Sequence, residues 1–123
     1  MEQKYQIGNE YGSITWDIEK ILADKSKFKT EKFSVRNLAQ ENPFFGNEKH
    51  IIETDISKPL IVVNLKENLD KLIDGNHRLQ KALRSDVKEI SAYYLSFEEH
   101  RNYIVDYDEQ VYFEVVNHWK KQI

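Results

Sequence analysis

The sequence predicts an α+β domain, a small mixed sheet with helices packed around it. Three observations carry that expectation. Residues 60–65, Leu-Ile-Val-Val-Asn-Leu, are the near-continuous apolar and β-branched run of a strand covered on both faces. Residues 76–84 place Leu79, Ala82 and Leu83 at the i, i+3, i+4 spacing of one helix face, with Gln80, Lys81 and Arg84 turned outward. Strand-like and helical stretches follow one another along 123 residues without linker composition, which is enough chain for one core and not for two. A single domain over residues 1–123 is expected, with its core at about 13–95 and a C-terminal helical extension at about 96–121.

Taken in order, residues 1–12 are polar and hold Gly8 and Gly12, so a frayed start is expected. Ile14, Trp16 and Ile18 then alternate as in a half-buried strand, and Asp17 is a candidate N-cap for a helix through Ala23. Residues 24–32 carry Lys25, Lys27, Lys29 and Lys32 against Asp24 and Glu31, the pattern of a solvated connector. Ser34 caps a short helix over residues 35–41, which Asn42-Pro43 ends because the residue before proline is pushed out of helical geometry. Residues 43–46 form a turn, His50 is a surface residue, and β character strengthens from Ile51 to Ile56. Pro59 opens the strand at 60–65, where a missing N–H is tolerated, and a five-residue polar turn at 66–70 returns the chain as a hairpin through 71–74. After the helix come a strand over 87–95, a helix from Ser96 to about Val105 opened by the capping box Ser96-Phe-Glu-Glu99, and a last helix from Glu109 with Val111, Tyr112, Val115, Val116 and Trp119 on one face.

Composition bounds the function. The formal charge of −3 argues against a chain whose main task is wrapping nucleic acid, since that affinity comes from clustered Lys and Arg on phosphates, so DNA is not expected as sole partner. Cysteine is absent, which removes disulfides, thiolate metal sites and a cysteine nucleophile together, and no metal site is expected from the residues. Mean hydropathy is −0.71 and the longest purely apolar run is residues 60–63, far below membrane-spanning length. The expectation is a cytoplasmic protein without a membrane partner.

The chemistry concentrates at Asp74-Gly75-Asn76-His77-Arg78, where a strand passes through a tight turn into a helix. Gly75 permits positive φ and close backbone approach, the first helical N–H groups have no intrahelical partner, and Arg78 offers a fork of donors matched to phosphate oxygens. His77 adds a donor and Lys81 stands one turn further, at the rim. Residues 75–88 hold Arg78, Lys81, Arg84 and Lys88 against Asp86, a local balance of +3. Cations at a helix N-terminus cost about 0.3–1 kcal/mol each unless something negative binds there. Asp74, Gly75, Asn76, His77, Arg78 and Lys81 are therefore the candidate phosphate- or nucleotide-binding set. Asp74 either holds Mg²⁺ or accepts from the turn's own N–H groups.

The segment Ile73-Asp-Gly-Asn-His-Arg-Leu79 with Ala82, following Pro59-Leu-Ile-Val-Val63 and a hairpin, resembles the signature of the ParB/sulfiredoxin superfamily over roughly residues 13–95. That resemblance implies a box that cradles nucleotide phosphates, ATP in sulfiredoxin and the free-serine kinases and CTP in the partitioning proteins, with Gly75, His77 and Arg78 as the binders. A nucleoside triphosphate with Mg²⁺ is the implied ligand. Asn76 stands where sulfiredoxin carries its catalytic cysteine, which excludes sulfinic-acid reduction, and no helix-turn-helix domain of the partitioning type is expected after residue 95. Kinase chemistry needs a general base, for which Glu53 and Asp55 are the weak candidates. The expected function is thus nucleotide or phosphate binding, with phosphotransferase or nucleotide hydrolase activity as its enzymatic forms. The competing reading is a non-enzymatic module, an antitoxin, immunity protein or phage adaptor, marked by exposed Tyr and Phe along the last helix and a protein partner. A two-metal nuclease lacks its carboxylate cluster in the sequence and ranks last.

Overall fold

The computed structural model describes residues 3–43, 49, 51 and 54–119. Strands β1 (Lys4–Asn9) and β2 (Gly12–Asp17) pair as an antiparallel hairpin with Ile7 opposite Ile14. The expected frayed start is corrected here. Tyr5 and Ile7 alternate toward the core between polar Lys4, Gln6 and Gly8, and the Asn9 side chain ties the tip down by accepting from Tyr11 N–H and donating to the Val115 carbonyl. Gly12 has φ +140°, and a Cβ there would lie 2.8 Å from Val111 Cγ1, so the turn needs glycine for both backbone and space.

Helix α1 (Ile18–Ala23) starts at Asp17, whose carboxylate accepts from Lys20 N–H, and it buries Ile18 and Ile21. The segment expected to be a solvated connector instead forms a 3₁₀ turn (Lys25–Lys27) and strand β3 (Lys29–Ser34). Its charges sit on an edge strand, where one face and one edge meet water and lysines discourage further pairing. Ser34 caps α2 (Val35–Glu41) by accepting from Asn37 N–H. The turn at 43–46 lies outside the described residues beyond Pro43, as does His50. The β character expected from Ile51 is not found among the described residues there: Ile51 is helical, and Ile56-Ser57 form a turn held by Asp55, which accepts from Ser57 N–H and Oγ–H.

Strand β4 (Leu60–Lys66) pairs antiparallel with β5 (Leu69–Asp74), and α3 (Asn76–Arg84) follows. The polar turn is shorter than the expected five residues, since Leu69 and Asp70 already belong to β5 and Asn68 takes the left-handed conformation at φ 62°. Strand β6 (Glu89–Leu95) lies parallel to β4 and antiparallel to β3, giving a mixed sheet in the order β3-β6-β4-β5. The capping box at Ser96 is complete, yet α4 (Phe97–Arg101) stops before Val105, because Ile104 bridges to Trp16 and Val105 N–H donates to the Thr15 carbonyl. Helix α5 (Glu109–Asn117) is capped by Asp108.

The sheet separates two packed layers. On one face the hairpin, α1, α4 and α5 bury Trp16, Ile18, Tyr112, Val115 and Val116 against Ile61, Val63 and Leu65. On the other, α2 and α3 bury Leu38, Leu79 and Ala82 against Leu60 and Val62. Gln80, expected outward, is 8% exposed, whereas Leu83, expected inward, is 40% exposed and lines a surface depression with Arg36 and Lys88 beside the helix end. Among the described residues no helix is long and apolar enough to cross a membrane.

Candidate functional site

The turn between β5 and α3 is built by Gly75 at φ +101°, ψ 22°. A Cβ at that position would lie 2.5 Å from Leu60 Cδ2 and 3.1 Å from Arg78 Nη2, so glycine is required by conformation and by the crowding of its neighbours. The first helical bond runs from Leu79 N–H to the Gly75 carbonyl at 2.9 Å. Gly75, at the N-cap of α3, has no side chain to accept from the first turn, whereas Asp17, Ser34, Ser96 and Asp108 cap α1, α2, α4 and α5. The first turn of α3, with Asn76, His77 and Arg78, thus follows a cap residue that has no side chain to accept from it.

Arg78 is held from both sides. Nη2 lies 2.9 Å from Asp74 Oδ2, and Nη1 donates to the Pro59 carbonyl at 2.8 Å and the Lys58 carbonyl at 3.4 Å. The Arg78 and Asp74 side chains are 16% and 12% exposed, so the pair is shielded from much of the solvent. Asp74 uses its other oxygen to accept from Gln3 Nε2 at 3.0 Å. These partners, a guanidinium and an amide, take the place of the turn's own N–H groups, which corrects that expectation for Asp74.

The remaining candidates spread around this pair. Asn76 Nδ2 reaches the Pro43 carbonyl at 3.4 Å, and its Oδ1 accepts from Gln80 Nε2. Lys81 Nζ donates to the Thr54 carbonyl at 2.7 Å, tying α3 to the chain that enters β4. His77 is half-buried on the first turn. Asp74, Gly75 and Asn76 line one cleft of about 450 Å³ with β1, the end of α2 and Trp119. Asp74 and Arg78 line a second, of about 510 Å³, together with Lys25, Asp55, Lys58 and Tyr93. The box thus stands between two clefts, and Asp74 borders both.

Comparison with known protein families, curated proteins and solved structures finds no match for this chain.

Of the two catalytic candidates, Glu53 lies outside the described residues. Asp55 lines the second cleft, but both Ser57 donors bond the same oxygen, Oδ1, and lower its pKa, which makes it a poor proton acceptor. Among the described residues no group of three or more His, Asp or Glu is placed to hold a metal ion.

One residue of the first cleft belongs to no sequence motif. Lys71, on β5, donates to Asn42 Oδ1 at 2.8 Å and sits 5.6 Å from the Tyr5 ring centroid. Burial pushes its ammonium down to about 8, against a smaller opposing pull from Glu41. The signal available in the sequence is a lysine followed by two apolar residues inside a short strand, Leu69-Asp-Lys-Leu-Ile73.

Proposed function

We propose that this protein is a nucleotide- or phosphate-binding domain of the ParB/sulfiredoxin type, with the ligand's phosphates at the Gly75–Arg78 turn. The observation that carries the reading is Gly75. Its left-handed backbone turns β5 directly into a helix whose N-cap position carries no side chain, beside an arginine already fixed by two backbone carbonyls and a carboxylate. An oxyanion there would accept from backbone N–H groups and meet the positive end of the helix. Arg78 has five N–H donors and uses three of them in its bonds to Asp74, Pro59 and Lys58, so it retains donors for a phosphate oxygen while its position is held.

A nucleoside triphosphate with Mg²⁺ is the proposed ligand. Mg²⁺ comes with the phosphates and needs only one or two carboxylates, a role open to Asp74 or Asp55 at the second cleft. Binding at the Gly75–Arg78 turn is the proposed function, and no turnover step is part of it. The interaction-module reading would gain from exposed aromatics on α5, where Tyr112 is 1% exposed and Phe113 half-buried.

The test is a thermal-shift panel of CTP, ATP, ADP and GTP with Mg²⁺ on the wild-type protein and Arg78→Ala. Ligand at about 100 times its dissociation constant stabilises the fold by about 2.7 kcal/mol, a shift of several degrees. At least one nucleotide is expected to raise Tm, and Arg78→Ala is expected to lose that increment beyond any drop in its own baseline. Four unchanged melting temperatures at millimolar nucleotide overturn the proposal.

A further inference from the structure

We propose that Lys71 is an imine-forming amine that takes small aldehydes or ketones in the cleft between β1, β5 and the end of α2. The cleft, about 450 Å³, is large enough for a compound of a few carbon atoms and opens to solvent around the Lys71 amine's two neighbours, Asn42 and Tyr5. Lysine acts as a nucleophile when its amine is partly desolvated and lacks a carboxylate that holds it as ammonium. Both conditions are met. Among the described residues the amine's hydrogen-bond partner is a neutral amide oxygen, an aromatic ring stands beside it, and no carboxylate lies within ion-pair distance.

The charged and titratable groups that share the cleft come from each element around it: Lys4 and Tyr5 on β1, Glu41 on α2, and Asp70 and Asp74 on β5 itself. Of these groups Glu41 favours the Lys71 ammonium. Asp74 is engaged by Arg78 and Gln3, and Asp70 accepts from Tyr94 Oη–H and Asn64 Nδ2–H. Burial outweighs Glu41, so a usable share of the amine is neutral near pH 7.5.

The reaction balances without an oxidant or reductant. The amine lone pair adds to the carbonyl carbon and one N–H proton passes to the oxygen, giving a carbinolamine. Its hydroxyl then leaves with the second N–H proton as water, and a C=N bond remains; water reverses both steps. This inference stands apart from the phosphate proposal, because the carbonyl compound need carry no phosphate and the amine belongs to β5, not to the box.

The full-length protein is treated with millimolar glyceraldehyde and cyanoborohydride, which reduces the imine to a stable secondary amine, and adducts are counted by peptide mapping. At pH 7.5 Lys71 is expected to be modified about tenfold faster than Lys88, an exposed lysine 3.0 Å from Asp86. Its rate should rise with a midpoint near pH 8, and Glu41→Gln should move that midpoint down by removing the charge that favours ammonium. Equal rates at Lys71 and Lys88, or a midpoint that ignores Glu41→Gln, overturn the proposal. Lys71→Met should abolish the mapped adduct; because that variant also alters the cleft wall, the wild-type and Glu41→Gln rates are the deciding measurements.

Discussion

The indole N–H of Trp16 donates to Nδ1 of His100 across 3.1 Å, and both residues are fully buried. That bond fixes the tautomer. With Nδ1 accepting, the ring proton sits on Nε2, which faces Tyr112 Oη at 3.2 Å, and the tyrosine hydroxyl donates onward to the Leu65 carbonyl at 2.6 Å. A polar chain therefore crosses the core from β2 through α4 and α5 to β4 with each member satisfied.

Acid should weaken the fold through this chain at pH values where most carboxylates are still charged. Burial lowers the His100 pKa to about 4, from an ordinary value near 6.5. Between those values the unfolded chain binds the proton and the folded one does not, so stability is full above about pH 6.5 and falls as pH drops toward 4. The loss is of order 3 kcal/mol, read from urea midpoints at pH 7, 6, 5 and 4. His100→Gln should flatten the curve in that window; a wild-type midpoint constant from pH 7 to 4.5 would contradict the assignment.

Tyr112→Phe removes only an oxygen, yet it takes one hydrogen-bond partner from the His100 ring and one from the Leu65 carbonyl in a closed core. The expected cost is about 1–3 kcal/mol with unchanged far-UV circular dichroism. Phe at an exposed tyrosine, Tyr11→Phe, should cost less than about 0.5 kcal/mol and serves as the comparison.

Gly75→Ala should destabilise by about 1–3 kcal/mol, through the left-handed backbone and through contact with Leu60 Cδ2. The two causes separate in a second background. Valine has no Cδ2, so in Leu60→Val the alanine should cost less, leaving mainly the backbone share; an equal cost in both backgrounds would show that crowding contributes nothing.

Arg78→Lys keeps the charge and loses the fork, since one ammonium cannot reproduce the guanidinium's simultaneous hold on Asp74 and the Pro59 carbonyl. A loss of about 1–2 kcal/mol is expected from thermal melts. A double-mutant cycle with Asp74→Asn should return a coupling of about 1 kcal/mol or more, because the two side chains touch and are mostly screened from water.

Much of the fold is legible in the sequence because it is local. Asp17, Ser34 and the Ser96 box announce helix starts within four residues of sequence, and the β4–β5 hairpin is a continuous pattern with its turn. Strands β1 and β3 are hidden for the opposite reason. Their outward positions are polar, and what makes β3 a strand is its pairing with β6, with Lys29 opposite Tyr94, a contact far along the chain. The early end of α4 is equally invisible, because Val105 bonds Thr15, again a distant partner.

The candidate site divides the same way. Gly75 and the turn into α3 are readable from neighbouring residue types. That Arg78 is committed to the Pro59 carbonyl, that Gln3 reaches Asp74, and that Lys71 is drawn under Tyr5 all depend on segments brought together only by folding. A lysine's sequence neighbours do not report the dielectric around its amine.

Within strand β4, Leu60 and Val62 belong to the α2–α3 layer while Ile61, Val63 and Leu65 belong to the layer of the hairpin and α5, so the boundary between the two layers is drawn by residue parity. Each of these side chains can be trimmed at the cost of one cavity. Inserting or deleting a single residue would instead send every later side chain of the strand to the opposite layer, carrying the Gly75 turn and the Tyr112 acceptor out of place together. The strand can accept substitutions singly, but its length is not negotiable.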